Sequence, residues 1–186
     1  MTDLTRVPWR EFPQDASPRA QVTRNFRLFE LSKSELADRN QIDNHFPDED
    51  TLRAAVYLCR TVMQPVRDAF GSYTPNSVFR SQALERALKR KDESWTSASQ
   101  HTKGEACDIE VPGRANRELA EWIKDNLAFD QLILECYNPA KGPNSGWVHV
   151  SVKPPGRGEN RNQVLSYIYS RANRRFIYVQ GLTDNV

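Results

Sequence analysis

Cysteine is scarce: Cys59, Cys107 and Cys136 are the only three in 186 residues, an odd number with no Cys-x-x-Cys pair. That excludes a disulfide framework and a thiolate metal site, and predicts reduced, mostly buried thiols. Long apolar runs are missing too. Nowhere do about 18 consecutive apolar residues occur, and the stretch from Met1 to Trp9 contains no apolar segment of the secretory type. Neither a membrane anchor nor a secretion signal is expected. No charge of one sign dominates, since 26 basic and 24 acidic residues leave a formal +2. Such a balance exerts no general pull toward nucleic acid or membrane, so the partner has to be read from local sites. Internal repeats and low-complexity tracts are absent, and 186 residues suffice for one domain with its own core.

What is there begins with residues 1–24, whose three prolines, scattered charges and lack of periodicity predict a loosely docked extension. Ser32 stands three residues before Glu35, the capping-box spacing, which predicts a short helix through Ala37. From Thr51 to Phe70, Leu52, Ala55, Val56, Cys59, Val62, Met63, Val66 and Phe70 recur at threes and fours. This is the pattern of the main core helix, interrupted or kinked near Pro65. A short strand is expected over Ser77–Arg80, a helix from Gln82 to about Lys91 and another over Arg114–Leu127. Toward the end, Asn162–Arg171 is expected to be helical and Arg175–Val179 a final strand. The fold class implied is α+β, a mostly antiparallel sheet with helices packed on one side. The expected organisation is an extension over residues 1–24, a domain over 25–180 and a tail over 181–186.

Three strands carry the chemistry, because alternate strand residues point to opposite faces. In Glu105–Val111 the phase separates Asp108 from Cys107, Ile109 and Val111; in Gln131–Tyr137 it separates Glu135 from Leu132, Leu134 and Cys136. In Trp147–Val152 it separates His149 from three valines. Cys107 is therefore expected to pack in the core rather than to act as a ligand or nucleophile. His101, Asp108 and His149 form a plausible ligand set for zinc, which in catalytic sites takes three protein ligands and leaves a fourth position for water. Gly104 permits a tight turn between the first two. His45, in a loop before Phe46 and Pro47, is given no metal role.

The string Ser99-Gln-His101-Thr-Lys-Gly104-Glu-Ala106-Cys-Asp108 matches S-x-H-x-x-G-x-A-x-D. It resembles the signature of the zinc D-alanyl-D-alanine carboxypeptidases and L-alanyl-D-glutamate endopeptidases, which share a fold with the hedgehog signalling domain. Gly146-Trp-Val-His149-Val-Ser resembles the family's closing strand, with His149 as third ligand. Phe129-Asp-Gln-Leu-Ile-Leu-Glu135 is similar to the strand that bears a catalytic-base glutamate in hedgehog-like members, and Arg80 stands in the place of the family's Y-R-S arginine. The run from Asn25 to Ser34, Ile42-Asp-Asn and Gln64–Gly71 resemble phage and prophage members. The likeness spans roughly residues 25–152. Departures are Gly146, where many members carry an acidic residue, Trp147, where others carry a histidine, and Phe79 in place of tyrosine.

The resemblance implies a zinc peptidase of peptidoglycan stem or cross-link peptides. His101, Asp108 and His149 would hold Zn2+, and Glu135 would move the proton between water and the leaving amine. Arg80 would face the developing oxyanion or a substrate carboxylate. Ser99 and Trp147 join Arg80 as substrate-binding candidates, Ser99 alternatively fixing the His101 loop. Either a D-Ala-D-Ala or an L-Ala-D-Glu bond fits. With no leader in view, the expected location is the host cytoplasm before release to the cell wall, or a virion. Two rival readings stand beside this one: a catalytically inactive, zinc-stabilised binding or structural module, and a nucleic-acid binder using Arg157, Arg161, Arg171, Arg174 and Arg175. The arginines are expected to form a solvated face instead.

Overall fold

The computed structural model describes residues 3–185. Helices α1 (Glu35–Asn40), α2 (Glu49–Leu58), α3 (Gln64–Phe70) and α4 (Gln82–Lys89) come first, then strand β1 (Ala106–Ile109), helix α5 (Asn116–Asn126) and strands β2 (Gln131–Glu135), β3 (Trp147–Ser151), β4 (Gln163–Ser170) and β5 (Arg175–Gln180). The chain divides into two compact units. One runs up to Gln64 and includes Ser77–Cys107; the other comprises Pro65–Asn76 and everything from Asp108 on.

In the first unit, α1 is capped by Ser34, not Ser32. The Ser34 Oγ accepts from the Ala37 N–H, while Ser32 ends the preceding 3-10 turn, Leu28–Leu31. Asp48 caps α2 in the same way through Thr51 N–H at 2.7 Å. The long helical pattern from Thr51 is real, and it is interrupted next to Pro65. A π turn, Cys59–Met63, joins α2 to α3 and closes with Gln64 N–H donating to Cys59 C=O. Widening the ladder there accommodates a proline that can neither donate to the preceding turn nor avoid crowding it.

The opening segment is docked more firmly than its composition implies. Phe12 and Val22 are fully buried. Carbonyls with no ladder to join find guanidinium donors instead: Arg53 donates to Phe12 C=O, and Arg60 to Val22, Val7 and Leu4 C=O. Ser77–Arg80 is not a strand. Its backbone groups hold neighbouring loops, Phe79 N–H donating to Leu31 C=O and Arg80 N–H to His101 C=O.

The five strands form one sheet in the order β1-β3-β2-β4-β5. β2 pairs antiparallel with β3 and parallel with β4, and β4 pairs antiparallel with β5. The fold is thus α+β with a mostly antiparallel sheet, as its patterning implies. The expected helix over Asn162–Arg171 is instead β4. Val164, Ser166 and Ile168 alternate there with Leu165, Tyr167 and Tyr169, a period of two rich in β-branched and aromatic residues. α5 packs on β2 and β3, where Leu119, Ile123, Leu132, Leu134, Val148 and Val150 are wholly buried.

Buried Asp130 pins the start of β2. Its backbone bonds to Ser151 C=O on β3 and to Gln163 N–H at the start of β4. Its carboxylate accepts from Arg161 Nε at 3.0 Å, and Lys153 Nζ stands 3.3 Å away. Among the described residues no helix is long and apolar enough to cross a membrane, and none of the three cysteines is in a disulfide.

Candidate metal centre

His101 sits in a one-turn 3-10 helix, Gln100–Lys103, opened by Ser99, whose Oγ accepts the His101 N–H. The sequence sends the chain back toward β1 through Gly104. Its φ is +70°, and a Cβ there would stand 2.4 Å from Thr51 C=O and 3.0 Å from Ala55 N on α2. Both the left-handed backbone and the close approach require glycine. The imidazole is buried, and its Nδ1 lies 2.6 Å from Val78 C=O. A carbonyl can only accept, so Nδ1 carries the proton and the ring's lone pair is on Nε2, the arrangement that prepares a histidine to ligate a metal.

Asp108 follows on β1 and His149 lies on β3, both 8% exposed. The His149 Nδ1 is 3.0 Å from Asp108 Oδ1. Strand phase does turn Asp108 away from Cys107 and Ile109, but every residue of β1 is buried, so the carboxylate does not face open water. One ligand atom from each of His101, Asp108 and His149 lies within 4.8 Å of the other two. Two imidazoles and one carboxylate are donors of the type zinc takes, and three of them leave a coordination position open. The residues present therefore fit a zinc ion. Cys107 is fully buried, and His45 is exposed and bonded to Asp43.

Glu135 ends β2, directly opposite Trp147 on β3, and the next pair but one is Ile133 with His149. Opposed and second-neighbour residues share a face, so Glu135 lies diagonally across from His149, within reach of a long side chain. Both Glu135 and Trp147 are partly exposed. The departure at Gly146 has a packing reason. Its φ is +70°, and a Cβ would lie 1.9 Å from Glu135 C=O. The chain crosses the end of β2 too closely for an acidic residue, and Glu135 is the carboxylate this corner offers.

Arg80 is held by a residue that pattern reading overlooked. Its Nε is 2.6 Å from Glu85 Oε1, and Glu85 is 1% exposed, its other oxygen accepting from Ser97 Oγ at 2.9 Å. The available signal was an acidic residue on the same helical turn as buried Leu84, five positions after Arg80. Arg161 is engaged with Asp130.

No curated protein and no solved structure matches the chain. The sequence pattern of the peptidase M15 family does match, over residues 24–151, a span that holds all three candidate ligands together with Arg80 and Glu135. With more than two thirds of its length inside that match, the chain belongs to the peptidase M15 family, the group of D-alanyl-D-alanine carboxypeptidases and related peptidoglycan peptidases.

Proposed function

We propose that this chain is a zinc-dependent hydrolase of peptide bonds in peptidoglycan, with His101, Asp108 and His149 as the metal ligands. The observation that carries the reading is the convergence of these three buried donors within a chain of this family. Zinc, when bound in such a site, polarises a carbonyl and makes water nucleophilic at neutral pH.

The chain's own residues supply the rest. Glu135, on the face of His149 and open to solvent on one side, takes a proton from the attacking water and returns it to the leaving amine. Arg80, steadied by buried Glu85, brings its positive charge to the side of the site where negative charge is to be met, either a substrate carboxylate or the oxygen of the attacked carbonyl. Val78 C=O keeps His101 in the ligating tautomer, and Ser99 holds the turn that carries it. Trp147 flanks Glu135 and bounds the substrate on that side. The cut is of the D-Ala-D-Ala or L-Ala-D-Glu type. The likeness of residues 25–71 to phage and prophage members supports a lysis enzyme or virion component, present in the host cytoplasm before release to the wall.

Zinc content and muropeptide release from purified sacculi test this, with wild type beside Glu135→Ala and His101→Ala. About one zinc per chain, peptide release by wild type, and a Glu135→Ala protein that keeps zinc without activity are expected. Product masses would then name the bond. Bound zinc with identical behaviour of wild type and Glu135→Ala would instead mark a zinc-stabilised binding module.

A further inference from the structure

The sheet register draws one row of side chains across four strands. Trp147 on β3 opposes Glu135 on β2, Glu135 opposes Tyr167 on β4, and Tyr167 opposes Tyr178 on β5. Directly opposed residues share a face, so this row lies on the face that carries His149. Past Glu135 it becomes a cluster of rings. Tyr167 lies 4.6 Å from Tyr178 and 5.2 Å from Phe176, and Phe176 lies 5.4 Å from Tyr169. These rings face water: Tyr169 is 43% exposed, Phe176 42% and Tyr178 58%. The cluster is electrostatically continuous with the candidate site. Burial first, and then the Glu135 charge, push the Tyr178 phenol above its ordinary value.

Folding does not require this arrangement. The opposite face of the β4–β5 ribbon already holds Val164, Ile168, Ile177 and Val179, each less exposed than Tyr169, Phe176 and Tyr178. Contiguous exposed aromatics of this kind mark a binding surface. The hairpin also lies beyond residues 24–151, the part shared with the family. Its chemistry narrows the occupant. Tyr167, Tyr169, Phe176 and Tyr178 are uncharged, which gives nothing to the carboxylates of a stem peptide. Their flat faces suit the apolar C–H face of a sugar ring, and the three phenol groups suit its hydroxyl and acetamido edge. Strands stand about 4.8 Å apart, so the row from Glu135 to Tyr178 is long enough for more than one pyranose.

We propose that the aromatic row of β4 and β5 binds the N-acetylhexosamine glycan strand that carries the stem peptide, alongside the peptide site marked by Glu135. The choice of glycan rests on the peptidase reading; the surface itself does not.

The test uses the full chain and peptide-free glycan strands stripped from sacculi, with binding measured by calorimetry, because that readout needs neither catalysis nor metal. Saturable binding is expected, weakened about tenfold or more in Phe176→Ala and in Tyr169→Ala. Thermal unfolding confirms that both exposed sites tolerate the change. In parallel, release from intact sacculi is expected to fall several-fold while hydrolysis of a free stem peptide stays at the wild-type rate.

Absent glycan binding, or binding equal in wild type and both variants, overturns the proposal. An equal loss on free peptide and sacculi would make the row a peptide subsite, and a change in oligomeric state would make it an interface between copies of the chain; either overturns the proposal as well. The two readings separate cleanly. Glycan binding by a protein that cleaves nothing sinks the peptidase reading alone, and cleavage without glycan binding sinks this one alone.

Discussion

Gly146 shows how one missing side chain shapes the site. Its place, three before His149, is where many relatives carry an acid, yet a Cβ there would fall 1.9 Å from Glu135 C=O on a backbone at φ +70°. Gly146→Ala is therefore expected to lower stability by at least about 2 kcal/mol, because both the left-handed backbone and the overlap have to be relieved. Urea unfolding measures the loss. The same shift displaces the end of β2, so activity on sacculi is expected to fall further than the unfolded fraction accounts for. A stable Gly146→Ala protein of wild-type activity would remove this corner from the argument. Glu85 makes the complementary point: a residue with no place in the motif is buried against Arg80 and sets its orientation.

At the scale of elements, Asp130 joins β2, β3 and β4 at one end of the sheet. Burial alone would raise its pKa, but the hydrogen bonds from Arg161 and Lys153 outweigh it and bring the carboxyl to about 2. A carboxyl that is more acidic in the fold than in the unfolded chain stabilises the fold above the unfolded value, and that stabilisation fades as pH falls through the folded one. The window here is from about pH 4 down to about pH 2, and the amount is about 2 kcal/mol. Acid titration of unfolding is expected to show this loss in wild type and a flatter profile in Asp130→Asn, which lacks the titrating group. Equal acid sensitivity of the two proteins would count against it. The strand β4 that Asp130 anchors is also the element that pattern reading mistook for a helix, and the one that starts the aromatic row.

For the molecule as a whole, a metal held by His101, Asp108 and His149 would bind the folded chain and not the unfolded one, so it would add to stability by mass action. Chelation is expected to lower the thermal midpoint, zinc to restore it, and His149→Ala to abolish the difference, all read by calorimetry. A midpoint indifferent to chelator and zinc in wild type would contradict the ligand assignment. Reducing agents that do not bind zinc are expected to leave the midpoint unchanged, since none of the three cysteines is in a disulfide.

The motif from Ser99 to Asp108, the strand phases of Asp108 and His149 and the long helix over Thr51–Phe70 were legible because each is a local spacing, written in consecutive residues and enforced by a backbone period. The sequence by itself determined which side chains could hold a metal and, for Asp108 and His149, which face of its strand each one takes. The cap at Ser34 and the strand β4 were misread, since each depends on which competing local pattern the surroundings favour. Only the tertiary structure decided that β4 runs parallel to β2, that Glu85 holds Arg80, and that Trp147, Glu135, Tyr167 and Tyr178 stand in one row. Register and ion pairing join residues far apart in the chain or on opposite sides of a turn, and no local period encodes that distance.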